Sequence, residues 1–422
     1  MGEQDTKISQ AQNSVLMPLI DLPQFSLPKL LFEEKVNNQI KNIIKNIFSS
    51  DGKDEEYQPY DGLNAFKKDQ IDKIAPWPDW YQTEGTIEKL LENENETKKM
   101  VFINQPYSGT DEIVRKYAEI NQFQVLEAPP YLDILNYEGD KKLDLKLQEK
   151  TAILDLENWF LRDNSGFSFI REVILKLNEH DGTVIIACHS WTWHFLTTVL
   201  ELPTKQFQQK ILQPLQHEEL EKWLLELTKK TINRKLLYRM ANTGKLVMDQ
   251  QVDLVKELKE SFEKNNAHFD ATFEVDEKFT KQLAGYAMGL PVICWHIWRN
   301  SLRVHPEENF QIQNGEGEES HAYTIWVMPW DQVSLPSLPK QLTGSHKMVL
   351  HTIQLHNGLP HDILYQLLNL SSRQLRLTLD ELTHHGILHK VSDHYQVTPN
   401  SYPKIRRILD KSGYLVDKLE VS

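Results

Sequence analysis

Cysteine is almost missing from this chain. Cys188 and Cys294 are the only two in 422 residues, and both fall in segments predicted to be buried. Neither belongs to a metal-type spacing, which excludes a disulfide framework and leaves a reducing cytoplasm as the expected setting. Long apolar runs are missing too. No stretch of about 18 apolar residues occurs, so no transmembrane helix is predicted. Basic residues are outnumbered, 47 Lys and Arg against 60 Asp and Glu, for a formal charge of −13. The overall field therefore does not steer the chain to nucleic acid or to an anionic membrane, although a local basic face still can. The first residues, Met-Gly-Glu-Gln-Asp-Thr-Lys, are polar and acidic, unlike a secretory signal, though Thr6 completes a myristoylation-type pattern. No internal repeat is visible, and the length predicts roughly two to four domains.

What is present begins with residues 99–112, Lys-Met-Val-Phe-Ile-Asn-Gln-Pro-Tyr-Ser-Gly-Thr-Asp-Glu. A short apolar run meets a turn-rich loop, and a helical pattern follows. This is the strand–loop–helix frame of a phosphate-binding loop. Laid on G-x-x-x-x-G-K-[ST], Asn104 takes the first glycine and Gly109 keeps the second. Thr110 replaces the lysine and Asp111 the hydroxyl residue. Thr110 cannot supply the point charge, and Asp111 sets a carboxylate against phosphate. Losing an ionised donor costs about 1.5–3 kcal/mol. The loop backbone and the helix N-terminus still offer weak anion binding. An ordinary strand–turn–helix of an α/β protein gives the same local pattern.

Strands at Met100–Asn104, Gln124–Glu127, Thr151–Asp155 and Thr183–Cys188 alternate with helices near 111–121, 166–179 and 191–200. Apolar, β-branched runs separated by helices predict a parallel sheet covered on both faces. Thr151-Ala-Ile-Leu-Asp155-Leu-Glu157 reads as a strand ending in carboxylates. Asp155 at such an end can hold magnesium, and Glu157 is the catalytic candidate if the chain is active. A continuing strand would aim Glu157 away from Asp155. Val184-Ile-Ile-Ala-Cys-His189-Ser190 ends a neighbouring strand in small polar groups. Ser190 is either a sensor-type contact or the N-cap of the next helix.

The flanking regions are less regular. Residues 1–62 read as an extended, proline-punctuated arm followed by an amphipathic helix at 31–49. Residues 63–200 form the core, with Pro76-Trp-Pro-Asp-Trp80 expected to pack on the next domain. Residues 201–303 read as helical, with a charged helix from Asp249 to Phe262 and a break at Gly289-Leu290-Pro291, where Pro291 suits a first helical turn. Residues 304–345 read as an acidic linker with a strand-like piece at Tyr323–Met328. Residues 346–422 read as three helices, a hairpin and a last helix, the winged-helix plan.

The order of loop, carboxylate-ended strand, sensor-like strand, helical lid with Gly289-Leu290-Pro291 and winged helix resembles the AAA+/STAND class of P-loop ATPases. The resemblance covers roughly residues 85–420 and implies an α/β parallel-sheet core, a helical lid subdomain and a C-terminal winged helix. It implies that ATP or ADP with magnesium, if bound, is held by Asn104, Gly109, Thr110, Asp111, Ser190, Gly289 and Pro291, with Asp155 on the metal. The departures from the pattern fall on catalysis. The expected function is therefore a catalytically impaired or inactive ATPase-fold protein that regulates or scaffolds another protein. An active ATP-dependent switch is the first alternative. A DNA-binding initiator or regulator using Arg373, Arg376, Arg406 and Arg407 is the second. For DNA the charge is modest: nine Lys and Arg against seven Asp and Glu leave +2 over residues 347–422. Eight histidines over residues 346–422 (346, 351, 356, 361, 384, 385, 389 and 394) show no zinc spacing and are expected at the surface.

Overall fold

The computed structural model describes residues 17–28, 62–78, 98–139, 143–229, 232, 235–256, 259, 274–306, 323–339 and 342–417. The helix expected at 31–49, Trp80, the far end of the 249–262 helix and the acidic stretch near 314–319 lie outside these residues. The chain divides into two compact units. One comprises residues 1–26, 79–214 and 336–422, and the other 27–78 and 215–335. This departs from the sequential division into core, lid, linker and winged helix, because the C-terminal region belongs to the same unit as the α/β core.

The first unit is built on a mixed, mostly parallel six-stranded sheet. Its strands are β1 (Leu19–Asp21), β2 (Lys99–Asn104), β3 (Gln124–Leu126), β4 (Lys150–Ile153), β5 (Thr183–His189) and β6 (Gln208–Leu212), in the order β1-β6-β2-β5-β4-β3. Helices α1 (Thr110–Ile120), α2 (Tyr131–Leu135), α3 (Asn164–Glu179) and α4 (Ser190–Thr198) connect them. The two-residue period of the strands explains both covered faces. Met100, Phe102, Ala152, Leu154, Ile185 and Ala187 pack with Val114 and Ala118 of α1. The alternate residues Val101, Ile103, Ile153, Val184 and Ile186 are fully buried as well. Each such side chain contributes roughly 1.5–3 kcal/mol relative to exposure.

Two strands escape the sequence pattern. Gln208-Gln-Lys-Ile-Leu212 lacks a β-branched run, yet it pairs with β2. On its other side β1 pairs antiparallel, with Asp21 opposite Lys210. Lys210 is buried and its ammonium lies 3.1 Å from the Asp21 carboxylate. The described part of the N-terminal arm is thus a sheet strand, with Met17 and Phe25 buried beside it.

Helix α3 starts where Asp163 accepts the Gly166 N–H at 2.7 Å. Asp163→Ala is expected to cost about 1 kcal/mol, read as a lower urea midpoint with an unchanged slope.

The C-terminal part of this unit has the element order expected from its sequence. It runs α5 (Gly344–Leu355), β7 (Leu359–Pro360), α6 (His361–Leu367), α7 (Ser372–His384), β8 (Leu388–Val391), β9 (His394–Val397) and α8 (Tyr402–Lys411). The three short strands form one antiparallel sheet, ordered β7-β9-β8. Capping boxes at Thr343/His346 and Ser371/Gln374 set the starts of α5 and α7.

The second unit is not all-helical. Strands Asn64–Ala65, Leu302–Val304, Tyr323–Val327 and Leu236–Met240 form a four-stranded sheet in that order. The strand-like piece expected in the linker is therefore an inner strand. The buried Gln251 mimics a further strand, accepting the Tyr238 N–H at 3.1 Å and donating to the Leu236 carbonyl at 2.8 Å. Among the described residues the unit also has helices Lys68–Ile74, His217–Lys229, Lys278–Tyr286 and Pro291–Ser301. Gly289 adopts φ +66° and Pro291 opens the last of these helices, as its sequence position implies. Trp77 of this unit stays 56 % exposed, with one edge against Trp295. No helix among the described residues is long and apolar enough to cross a membrane.

Candidate functional site

In an open α/β sheet, ligands bind beyond the carboxyl ends of the strands, where the strand order reverses. From β2 the chain moves to one side of the sheet through β3, β4 and β5, then crosses to β6 on the other side. The loop 104–109 leaves β2 at this reversal. Asn104 ends β2 in register with His189 at the end of β5. Both side chains are buried, and neither Asn104 Oδ1 nor either ring nitrogen of His189 has a hydrogen-bond partner among the described residues.

The loop is closed on itself. Ser108 N–H donates to the Gln105 carbonyl at 3.1 Å, and Tyr107 and Gly109 take φ of +64° and +78°. The Ser108 hydroxyl lies 2.7 Å from both the Gln105 carbonyl and Thr110 Oγ1, and accepts the Thr110 N–H at 3.3 Å. One hydroxyl hydrogen goes to the carbonyl, so Thr110 must donate its own hydrogen to Ser108. The Ser108 and Thr110 hydroxyls and two of the N–H groups are therefore satisfied internally. Thr110, at the lysine position, is 1 % exposed. Tyr107 points to the C-terminal strands, donating its hydroxyl to the Val397 carbonyl, with its ring edge-on to Tyr402.

The carboxylates separate by environment. Asp155 follows β4 and pairs with Arg115 of α1 at 3.2 Å, both side chains about half exposed. A protein cation thus sits on the carboxylate read as the magnesium ligand. Asp111 keeps solvent contact, yet surrounding atoms desolvate it enough to push its pKa upward; Asp155 adds to the rise, while helix N–H groups and Arg115 oppose it.

Glu157 departs from the sequence expectation. The strand ends at Ile153, and the 3₁₀ turn Leu156–Trp159 swings Glu157 into the interior. There it accepts the His189 N–H at 3.1 Å and the Asn357 amide at 3.4 Å. Burial, and then the charge of Asp155, push its pKa up to about 8. At neutral pH it is mostly a neutral acid.

Ser190 is the first residue of α4 and does not cap it. Its hydroxyl donates to the buried Asp417 at 2.7 Å. Asp417 also accepts from Tyr402 at 3.2 Å and from Arg406 Nε at 2.6 Å, and Trp191 donates to the Tyr402 hydroxyl at 3.1 Å. Arg406 is thereby withdrawn from the proposed nucleic-acid set. Arg373 and Arg376 stand exposed on α7, with Arg376 3.8 Å from Asp380, and Arg407 lies on α8. Gly289 and Pro291 belong to the second unit.

Three of the eight C-terminal histidines are buried rather than at the surface. His346 caps α5 and meets Glu381 at 3.0 Å. His351 lies 2.9 Å from the Leu415 carbonyl and 3.3 Å from Arg162 Nη1. These contacts place its proton on Nε2. His356 is buried and stacks on Phe160, its ring facing the main chain of Glu157 and Phe160. No group of three or more His, Cys, Asp or Glu among the described residues could hold a metal ion.

The structure thus gathers Asn104, Gly109–Asp111, Asp155, Glu157 and Ser190 at one end of the sheet. It adds Tyr107, His189, His356, Asn357, Tyr402 and Asp417, which sequence patterns do not single out together. No family model matches the chain, and no curated protein matches it.

Proposed function

We propose that this protein is a catalytically impaired or inactive relative of the AAA+/STAND-type ATPases, serving as a regulatory or scaffolding subunit through protein–protein contacts. The observation that carries this reading is the state of the loop. Two of its N–H groups and the Ser108 and Thr110 hydroxyls are taken within the loop, its lysine position holds the buried Thr110, and the carboxylate across from it already has Arg115 as counter-ion. A bound nucleotide would have to break these contacts without gaining the usual lysine–phosphate attraction. The ancestry is supported by the sheet. The sensor-like strand β5 lies between the loop strand and the carboxylate strand, beside the latter as the resemblance implies. The Arg406–Asp417 pair argues against the nucleic-acid alternative, because it removes one of the four arginines that reading needs.

Calorimetric titration with ATP and ADP, with and without magnesium, tests the proposal. No heat of binding at millimolar nucleotide is expected. Micromolar binding abolished by Asp155→Ala would overturn it in favour of an active switch. A second expectation concerns descent. Thr110→Lys with Asp111→Ser should create measurable nucleotide affinity if the loop is a degraded phosphate loop. A destabilised variant that still binds nothing would count against that origin.

A further inference from the structure

Residues 414–417, Tyr-Leu-Val-Asp, follow α8 without regular secondary structure, yet they are held like a peptide in a groove. Helices α4, α5 and α8 supply the contacts. His351 of α5 binds the Leu415 carbonyl at 2.9 Å, and its ring lies 5.1 Å from that of Tyr414. Val416 is 2 % exposed and Asp417 3 %. The Asp417 side chain takes Ser190 of α4 and Tyr402 and Arg406 of α8, while Arg406 Nη2 binds the Asp417 main-chain carbonyl at 2.6 Å. One side chain and two main-chain carbonyls are thus each held by named neighbours, and one apolar side chain is buried. This is how peptide-recognition sites combine affinity with specificity.

The chemistry selects an aspartate. Arg406 is largely buried and needs an anion beside it, since an unpaired buried cation is costly. A free phosphate could meet its Nε, but it offers no adjoining main-chain carbonyl to Nη2. Glutamate would bring an extra methylene to a carboxylate already held at 2.6–2.7 Å and nearly sealed from solvent.

We propose that this groove is a recognition site for an extended Val-Asp segment, with residues 414–417 as its resident occupant and an aspartate-bearing segment of a partner protein as the ligand that displaces them. The inference rests on the scaffold reading only in naming the kind of partner. Peptide binding tests it, and nucleotide titration tests the parent reading, so the two can fail separately.

The probe is a fluorescein-labelled peptide, Ala-Tyr-Leu-Val-Asp-Ala. Anisotropy is measured on the full chain and on a chain ending at Gly413. The shortened chain should bind at least tenfold more tightly, because the tethered segment competes at an effective concentration near millimolar. The peptide with Asn for Asp should not bind. If the shortened chain does not fold, the full-length Asp417→Asn chain takes its place, its own occupant weakened but present. Four results would overturn the proposal: no binding to the weakened or shortened chain, equal binding of the Asn peptide, no displacement in the full chain at millimolar peptide, or competition by inorganic phosphate alone at equal concentration.

Discussion

Asp417→Ala should destabilise the first unit by about 3–5 kcal/mol, the cost of leaving a buried cation without its partner. Arg406 would lose its counter-ion, with Ser190 at the start of α4 and Tyr402 also deprived of their common acceptor. Arg406→Ala should be similarly severe, since it strands a carboxylate that is 3 % exposed. Replacing both by apolar residues, Asp417→Leu with Arg406→Met, should cost less than either single alanine change. Removing a buried pair together removes the desolvation burden along with the attraction. Urea unfolding of the three variants decides this. A loss below about 1 kcal/mol for Asp417→Ala would mean that the network does not hold the C-terminal elements to the sheet. The same data bear on the groove, because a tail that contributes nothing in place cannot be a resident ligand.

The second large effect is a stability maximum near pH 6.5. His189 and His351 are held at pKa values of about 4 and His356 at about 3, all chiefly by burial. These are depressed values, so the stability they contribute is present above the ordinary histidine value. It is lost as pH falls toward the folded ones. Glu157 is the opposite case. Raised to about 8, it contributes stability that is fully present below its ordinary value of 4.5 and lost as pH rises through 8. Between pH 4.5 and 6.5 the three histidines outweigh the one acid, and stability climbs. Of these four groups Glu157 alone titrates from 6.5 to 8, at about 1.4 kcal/mol per pH unit, for a loss of about 2 kcal/mol. Asp111 and Glu221, also raised by desolvation, pull in the direction of Glu157. Urea midpoints at pH 5, 6.5 and 8 check the shape. Glu157→Gln should flatten the alkaline limb and steepen the acid limb, because the carboxyl that opposes the three histidines between pH 4.5 and 6.5 is gone. An alkaline limb unchanged in that variant would show that Glu157 does not carry it.

Much of the first unit is legible from local pattern. Alternating β-branched runs and 3.6-residue periodicity locate β2, β3, β4, β5, α1, α3 and α4 to within about two residues, while the one-turn helix α2 gives no such signal. The C-terminal elements are equally readable, because Ser371, Gly386 and Pro403 punctuate them. The second unit's sheet is not legible in the same way. Leu236-Leu-Tyr-Arg-Met240 lies between charged segments and pairs with residues 323–327, far along the chain. Nothing local signals such a partner. Strand β6 is hidden for a similar reason: its Lys210 reads as solvent-facing until Asp21 is brought beside it.

The loop from Asn104 to Asp111 shows where the division lies. Sequence alone determined that it leaves a buried strand, turns at Gly109 and starts a helix without a lysine to meet phosphate, because these depend on residue type and spacing. It also determined that Asp155 would stand at the end of a parallel strand. Only the tertiary structure decided that Arg115 covers Asp155, that Ser108 closes the loop and that Tyr107 reaches Val397. Tertiary folding likewise turned Glu157 inward and brought Asp417 to Ser190 across 227 positions. Local pattern encodes backbone conformation. The ionisation, burial and partners of a polar side chain depend on what distant parts of the chain bring to it.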